Sequence, residues 1–135
     1  MANPGETILM PRNVHISVIK TCAMQNINPI FFDLEFSKET GHYKPITKIW
    51  LENVFKKLSF DENKIVGVIL VSPSYHGYAC DLEPLIDFCH QKNLPVLVDE
   101  AHGSYFLFCE NLNLPKSALS SNADLVVNSL HKSLN

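Results

Sequence analysis

Apolar residues along the 135-residue chain fall into two alternating kinds of run. Short blocks dense in β-branched and aromatic residues read as strands, and stretches with apolar positions three and four apart read as helices. "ETILM" (6–10) follows the turn signal "NPG" and reads as a first strand. In "NVHISVIKTCAM" (13–24), Val14, Val18, Ile19 and Cys22 share one helical face, and Asn13 is suited to cap its start. "PIFFDL" (29–34) reads as the next strand. "PITKIWLENVFKKL" (45–58) repeats Ile46, Ile49, Trp50, Val54 and Leu58 at helical period. "KIVGVILVS" (64–72) is a continuous β-branched run, the pattern of a strand buried on both faces. In "DLEPLIDFCHQKN" (81–93), Leu82, Leu85, Ile86 and Cys89 form one stripe, with Asp81 as cap and Pro84 early enough to be tolerated. "LPVLVDEAHG" (94–103) opens with another buried strand, and "ADLVVNS" (123–129) with a further one.

Strands alternating with helices predict an α/β fold, a mostly parallel sheet flanked by helices, in one domain over residues 1–135. No internal repeat, low-complexity tract or linker interrupts it. A hydrophobic content of 46% with 19% charged residues is ordinary for a globular chain. The net charge of −3 offers no basic excess of the kind nucleic acid or an anionic membrane would select, so neither is an expected partner. "MANPGETILM" has no basic segment followed by a long apolar one and does not read as a signal peptide. No stretch approaches the ~20 apolar residues of a spanning helix, and a soluble cytoplasmic protein is expected. Cys22, Cys80, Cys89 and Cys109 show no CxxC pair or finger spacing, and read as reduced core thiols.

Parallel α/β sheets bind ligands in the crevice outside the carboxyl ends of their strands. The polar residues that end each apolar run should therefore converge. They are Ser72, Ser74 and Tyr75 after "VGVILV"; Asp99, Glu100 and His102 after "PVLV"; and Asn128, Ser129, His131 and Lys132 after "ADLVV". Such a set admits several chemistries. "DEAH" suits a Mg²⁺-holding acidic box of a nucleotide-driven helicase, but the phosphate-cradling GxxxxGK[ST] loop is absent. A zinc site built from His15, His102, His131 and Asp99 lacks HExxH or His-x-His spacing, so no metal is assigned. In a purely structural reading, Asp99 caps a helix start and His102 is a satisfied polar residue at a strand exit.

Two motifs taken together sharpen the picture. "VDEAHG" (98–103), followed by "ADLVVNSLHKSLN" (123–135), strongly resembles the major domain of the Orn/Lys/Arg decarboxylase family. "NPGETILMPRNVHISVI" (3–19) is similar to the family's "PGD-x-V-x-x-x-RN-x-HKS" segment, and residues 71–103 match its strand, helix and acidic strand in order. The likeness covers essentially the whole chain. It implies the aspartate-aminotransferase fold (fold type I), pyridoxal 5′-phosphate as cofactor, and decarboxylation of lysine, ornithine or arginine.

By that resemblance, Lys132 carries the cofactor as a Schiff base, and Asp99 holds the proton on its ring nitrogen. The physics is compatible: the lysine amine must be deprotonated to attack, and a partly desolvated strand-end position favours that. A carboxylate on the ring nitrogen keeps it cationic, which makes the ring an electron sink. His15 takes the place of a histidine stacked on the ring. Ser129 and His131 match the family's "S-x-HK" beside the phosphate, which a hydroxyl and an imidazole can both reach as donors. Ser74 and Tyr75 match a segment near the cofactor, and His102 lines the pocket. Glu100 has no assigned task; solvation or a local hydrogen bond is its expected fate. Glu100 and Glu110 do not discriminate among basic substrates.

One departure is Ile16, where the family motif has lysine. Family members also begin upstream, with a Gly/Ser/Thr-rich phosphate cup, and continue past the lysine into a C-terminal domain. Residues 1–135 are therefore expected to be an internal part of the large domain, from an enzyme that works as a homodimer or larger homo-oligomer. Two readings stand beside this one: a truncated, non-catalytic fragment, and another fold type I enzyme of aminotransferase or aldolase-like type.

Overall fold

Seven strands and four helices follow one another in a computed structural model that describes residues 2–58, 64–109 and 112–133. The elements are β1 (Thr7–Pro11), α1 (Ile16–Met24), β2 (Asn28–Phe32), β3 (Phe36–Ser37), β4 (His42–Tyr43), α2 (Lys48–Lys57), β5 (Ile65–Val71), α3 (Glu83–Gln91), β6 (Val96–Asp99), β7 (Leu125–Val127) and α4 (Leu130–Ser133). Five strands form one sheet in the order β2-β1-β5-β6-β7, and every pairing is parallel. This is the mostly parallel, helix-flanked sheet that the alternating pattern predicts.

Alternation along the strands decides which residues meet which helix. Leu9, Val68, Leu70, Val96 and Val98 face one layer, where Leu51 and Phe55 of α2 and Leu85, Ile86 and Cys89 of α3 complete the core. Ile8, Met10 and Ile69 face the other layer, against Val14 and Cys22. The central strand β5 is covered on both sides, as its unbroken apolar run requires. From β1 the chain first steps outward to β2, then returns to β5 and proceeds to β6 and β7. The strand order therefore reverses between β1 and β5, where open α/β sheets place their crevice.

Several local expectations are corrected. Helix α2 starts at Lys48, capped by Thr47, whose Oγ1 accepts the Trp50 N–H at 3.2 Å. With that start, Leu51 and Phe55 one turn apart face the sheet, and Ile49, two residues from Leu51, points away and is 71% exposed. Asp81 does not cap α3; the cap position is Leu82, a buried core residue with helical backbone angles. Asn13 does not cap α1, because His15 does, its Nδ1 accepting the Ser17 N–H at 3.2 Å. The hairpin β3–β4 was not anticipated: two-residue strands are too short to show a period. Strand β7 is the sheet's edge rather than a buried strand, with Leu125 and Val127 about half exposed.

Pairing continues just past the strand ends. Ser72 N–H donates to Asp99 O at 3.1 Å, and Glu100 N–H donates to Val127 O at 2.9 Å. These bonds hold the exits of β5, β6 and β7 level with one another, so that the residues after each strand open onto a common space.

Candidate active site

That space is a cleft of about 290 Å³. Asn13, His15 and Ser17 reach it from the β1 exit, Pro73 and Tyr75 from the β5 exit, Asp99 and His102 from the β6 exit, and Asn128, Ser129 and Lys132 from the β7 exit. A larger cavity of about 450 Å³ lies between β2 and α2, lined largely by Phe31, Phe32, Trp50 and Val54, and shares no lining residue with the first. The concentration of acid, amine, imidazole and hydroxyl groups is in the smaller one.

At the β1 exit, the capping bond fixes the His15 ring. Its Nδ1 accepts from Ser17 N–H and lies 2.8 Å from Ser17 Oγ. In the neutral ring the proton therefore sits on Nε2. Asn13, released from capping, lines the cleft, and its Oδ1 is buried without a hydrogen-bond partner among the described residues. A buried acceptor left unpaired is costly, and this one is on the wall of the cleft.

Asp99 ends β6 half-buried, one carboxylate oxygen accepting the Ala101 N–H at 3.1 Å. That bond closes a turn, not the helix start that a purely structural reading gives Asp99, and it occupies only Oδ1. His102 meets the Tyr75 ring edge to face at 5.6 Å between centroids. Tyr75 also contacts His76, whose ring lies 4.3 Å from that of His42, so rings run from the cleft to the β3–β4 hairpin.

After β7 the chain turns into α4, with Lys132 N–H donating to Ser129 O at 3.1 Å. Lys132 is exposed, not partly desolvated as its strand-end position led us to expect. The cause is the uncovered edge strand beside it. Ser129 Oγ is 3.2 Å from His131 Nδ1; Ser129 lines the cleft, and His131 does not. Ser74 is also absent from the lining: its Oγ accepts the Tyr78 N–H and closes a turn.

Glu100 points away from the cleft into the protein, 1% exposed. Its Oε1 accepts the Ala118 N–H at 2.7 Å, and Asn128 Nδ2 donates to Oε2 across a long 3.4 Å. Neither the solvation nor the local hydrogen bond expected of this side chain is found: its partners lie 18 and 28 residues further along the chain. Burial lifts this carboxyl above its usual range, against the hydrogen bonds from Ala118 and Asn128, which lower it. Glu110 lies outside the described residues.

Among the described residues, no group of three or more His, Cys, Asp or Glu converges as metal ligands. Nor is any helix among them long and apolar enough to cross a membrane. Cys22, Cys80 and Cys89 are buried and unbonded, and burial, then the Asp124 charge, pushes the Cys89 thiol up to about 12.

Sequence reasoning took strand-end residues from β5, β6 and β7 only. Applied to β1, the same rule finds Asn13 and Ser17, which it missed. Asn128 was included without a role.

Residues 1–135 match the family model for the Orn/Lys/Arg decarboxylase major domain. An arginine decarboxylase from Bacillus cereus is 37% identical over 132 residues, 98% of this chain and 27% of the relative. The chain thus spans about a quarter of the length of the curated relatives it matches. Among solved structures, alanine aminotransferase from Pyrococcus furiosus superposes with a TM-score of 0.68 at 17% identity, covering 97% of this chain and 32% of that one. Cystalysin from Treponema denticola, which contains a pyridoxal 5′-phosphate cofactor, gives 0.55 at 17% identity over 74% of this chain and 24% of that one. Those two likenesses are of fold; the match over the full length and the arginine decarboxylase relatives carry the assignment. The chain belongs to the Orn/Lys/Arg decarboxylase major-domain family.

Proposed function

We propose that residues 1–135 supply part of the pyridoxal 5′-phosphate site of a decarboxylase acting on lysine, ornithine or arginine. The observation that carries this reading is convergence: Lys132, Asp99 and His15 come from three different strand exits and line one cleft. The donor set fits the cofactor: an amine for its aldehyde, a carboxylate for its ring nitrogen, imidazoles for its ring and a hydroxyl for its phosphate. The unpaired Asn13 Oδ1 on the cleft wall adds an acceptor that calls for a donor from a bound group.

Lys132 would anchor the cofactor through its amine, and Asp99 would hold a proton at the ring nitrogen. His15, fixed by Ser17, and His102, fixed by Tyr75, would flank the ring. Ser129, with His131 hydrogen-bonded behind it, would reach the phosphate. Ser74 would act at one remove, by closing the turn that presents Tyr75. Bound there, pyridoxal phosphate supplies the electron sink for the pair left behind when carbon dioxide departs. We read the chain as one portion of the cofactor-binding large domain, within a homodimer or larger assembly.

A second reading, a fragment without activity of its own, is favoured by the exposure of Lys132 and Val127 at the open β7 edge. Carbon dioxide release from carboxyl-labelled lysine, ornithine or arginine tests the proposal. Release supports decarboxylation. Consumption of a keto acid without release points to an aminotransferase, and neither activity in the presence of cofactor favours the inactive fragment.

A further inference from the structure

Glu100 is the one charged side chain fully buried among the described residues, and nothing in the cleft uses it. Burying a carboxylate is costly unless its surroundings require it. Here they grip it from several sides. Its N–H donates to Val127 O at 2.9 Å, its O accepts the Gly103 N–H at 2.9 Å, and its two carboxylate oxygens meet Ala118 and Asn128. Gly103 presses against the same side chain so closely that a Cβ there would stand 2.9 Å from Glu100 Cγ and 2.5 Å from Pro73 Cδ. Glu100 therefore holds Val127 by main chain and Asn128 by side chain, two consecutive residues at the exit that leads to Lys132.

A side-chain amide has a donor end and an acceptor end, and a carboxylate only accepts. Asn128 turns Nδ2 toward Glu100 Oε2, which leaves Oδ1 as the end free to meet a group in the cleft. Resting on the function proposed above, we infer that Glu100 is a positioning residue. It acts through Asn128, so that the cleft lined by Lys132 presents a hydrogen-bond acceptor to an amine, either that of Lys132 or that of an incoming amino acid.

The test separates this role from a merely structural one. Glu100→Gln keeps an oxygen for Ala118 N–H but sets an amide nitrogen against Asn128 Nδ2. Two measurements on the 135-residue chain are needed: the Asn128 side-chain amide resonances by NMR without cofactor, and the rate of Lys132 adduct formation with pyridoxal phosphate and borohydride. In E100Q, the Asn128 amide resonances should shift, and adduct formation should slow by roughly tenfold, the scale of one hydrogen bond to a charged group. Asn128→Ala should slow it equally, and the double variant should be no slower than either single one. Unchanged resonances and an unchanged rate in E100Q, or multiplying effects in the double variant, would overturn the inference. If the wild-type chain forms no adduct, the function proposed above fails instead. The amide shift alone then decides whether Glu100 orients Asn128.

Discussion

Asp124 and Val96 pair reciprocally across the entrance to the last two strands. Val96 N–H donates to Asp124 Oδ2 at 2.7 Å, and Asp124 N–H donates to Val96 O at 3.1 Å. The same Oδ2 lies 2.8 Å from His90 Nε2 at the end of α3. One carboxylate thus sets the register in which β7, and with it Lys132, enters the sheet. Burial alone would raise the Asp124 carboxyl, but the bonds from Val96 and His90 together outweigh it and hold it below the usual value. A depressed carboxyl stabilises the fold above its unfolded-state pKa, about 3.9, and loses that contribution as pH falls through the lower folded value. Asp124→Asn should therefore lower the unfolding temperature at neutral pH. The gap to wild type should close as the pH falls through the lowered folded-state value of this carboxyl. Melting curves across pH check this; a gap that persists in acid would assign the loss to something other than the charge.

Gly103 fills a space with no room for a methyl group. Its missing Cβ is what lets Pro73 and Glu100, from adjacent strand exits, close on one another. Gly103→Ala should cost about 1–3 kcal/mol by overpacking. Denaturant titration would read this as a lower midpoint with unchanged slope.

Two residues from the same kind of helical pattern should respond in opposite ways. Leu85 is wholly buried between α3 and the sheet, and Leu85→Ala should cost about 2–5 kcal/mol. Ile49 looks equivalent in sequence but is largely exposed, so Ile49→Ala should stay within about 0.5 kcal/mol of wild type. Equal losses at the two positions would contradict the placement of α2.

The contrast shows what was legible in the chain and why. Unbroken runs such as 65–71 and spaced stripes such as Leu82, Leu85, Ile86 and Cys89 state their environment through many residues at once, and both were found where expected. Ile49 was misread because a stripe's phase depends on where its helix starts, which for α2 is set by Thr47 Oγ1 accepting the Trp50 N–H. Asn13 lost the cap of α1 to His15, and α3 starts without any side-chain cap, which left Asp81 none to supply. The cleft was legible because parallel sheets converge their strand ends. Its depth at Lys132 was not, because exposure there depends on what covers β7. Glu100 was unreadable for a related reason: its partner Ala118 is eighteen residues away in a loop without periodicity.

The cysteines offer a check on the core. Cys22, Cys80 and Cys89 are buried, with thiols pushed upward by that burial, while Cys109 is half-buried. A thiol reagent at neutral pH should modify Cys109 first in the native protein and all four after denaturation. Rapid native modification of Cys89 would show that the α3–sheet layer is open.

The central claim is that Lys132 faces a cofactor cleft shared with Asp99. It is tested most directly by adding pyridoxal phosphate to the protein, reducing with borohydride and mapping the adduct by mass spectrometry. The account predicts one dominant adduct, on Lys132, that disappears in Lys132→Arg and is weakened in Asp99→Asn. Adducts spread evenly over the surface lysines, with Lys132 labelled no faster than the rest, would contradict it.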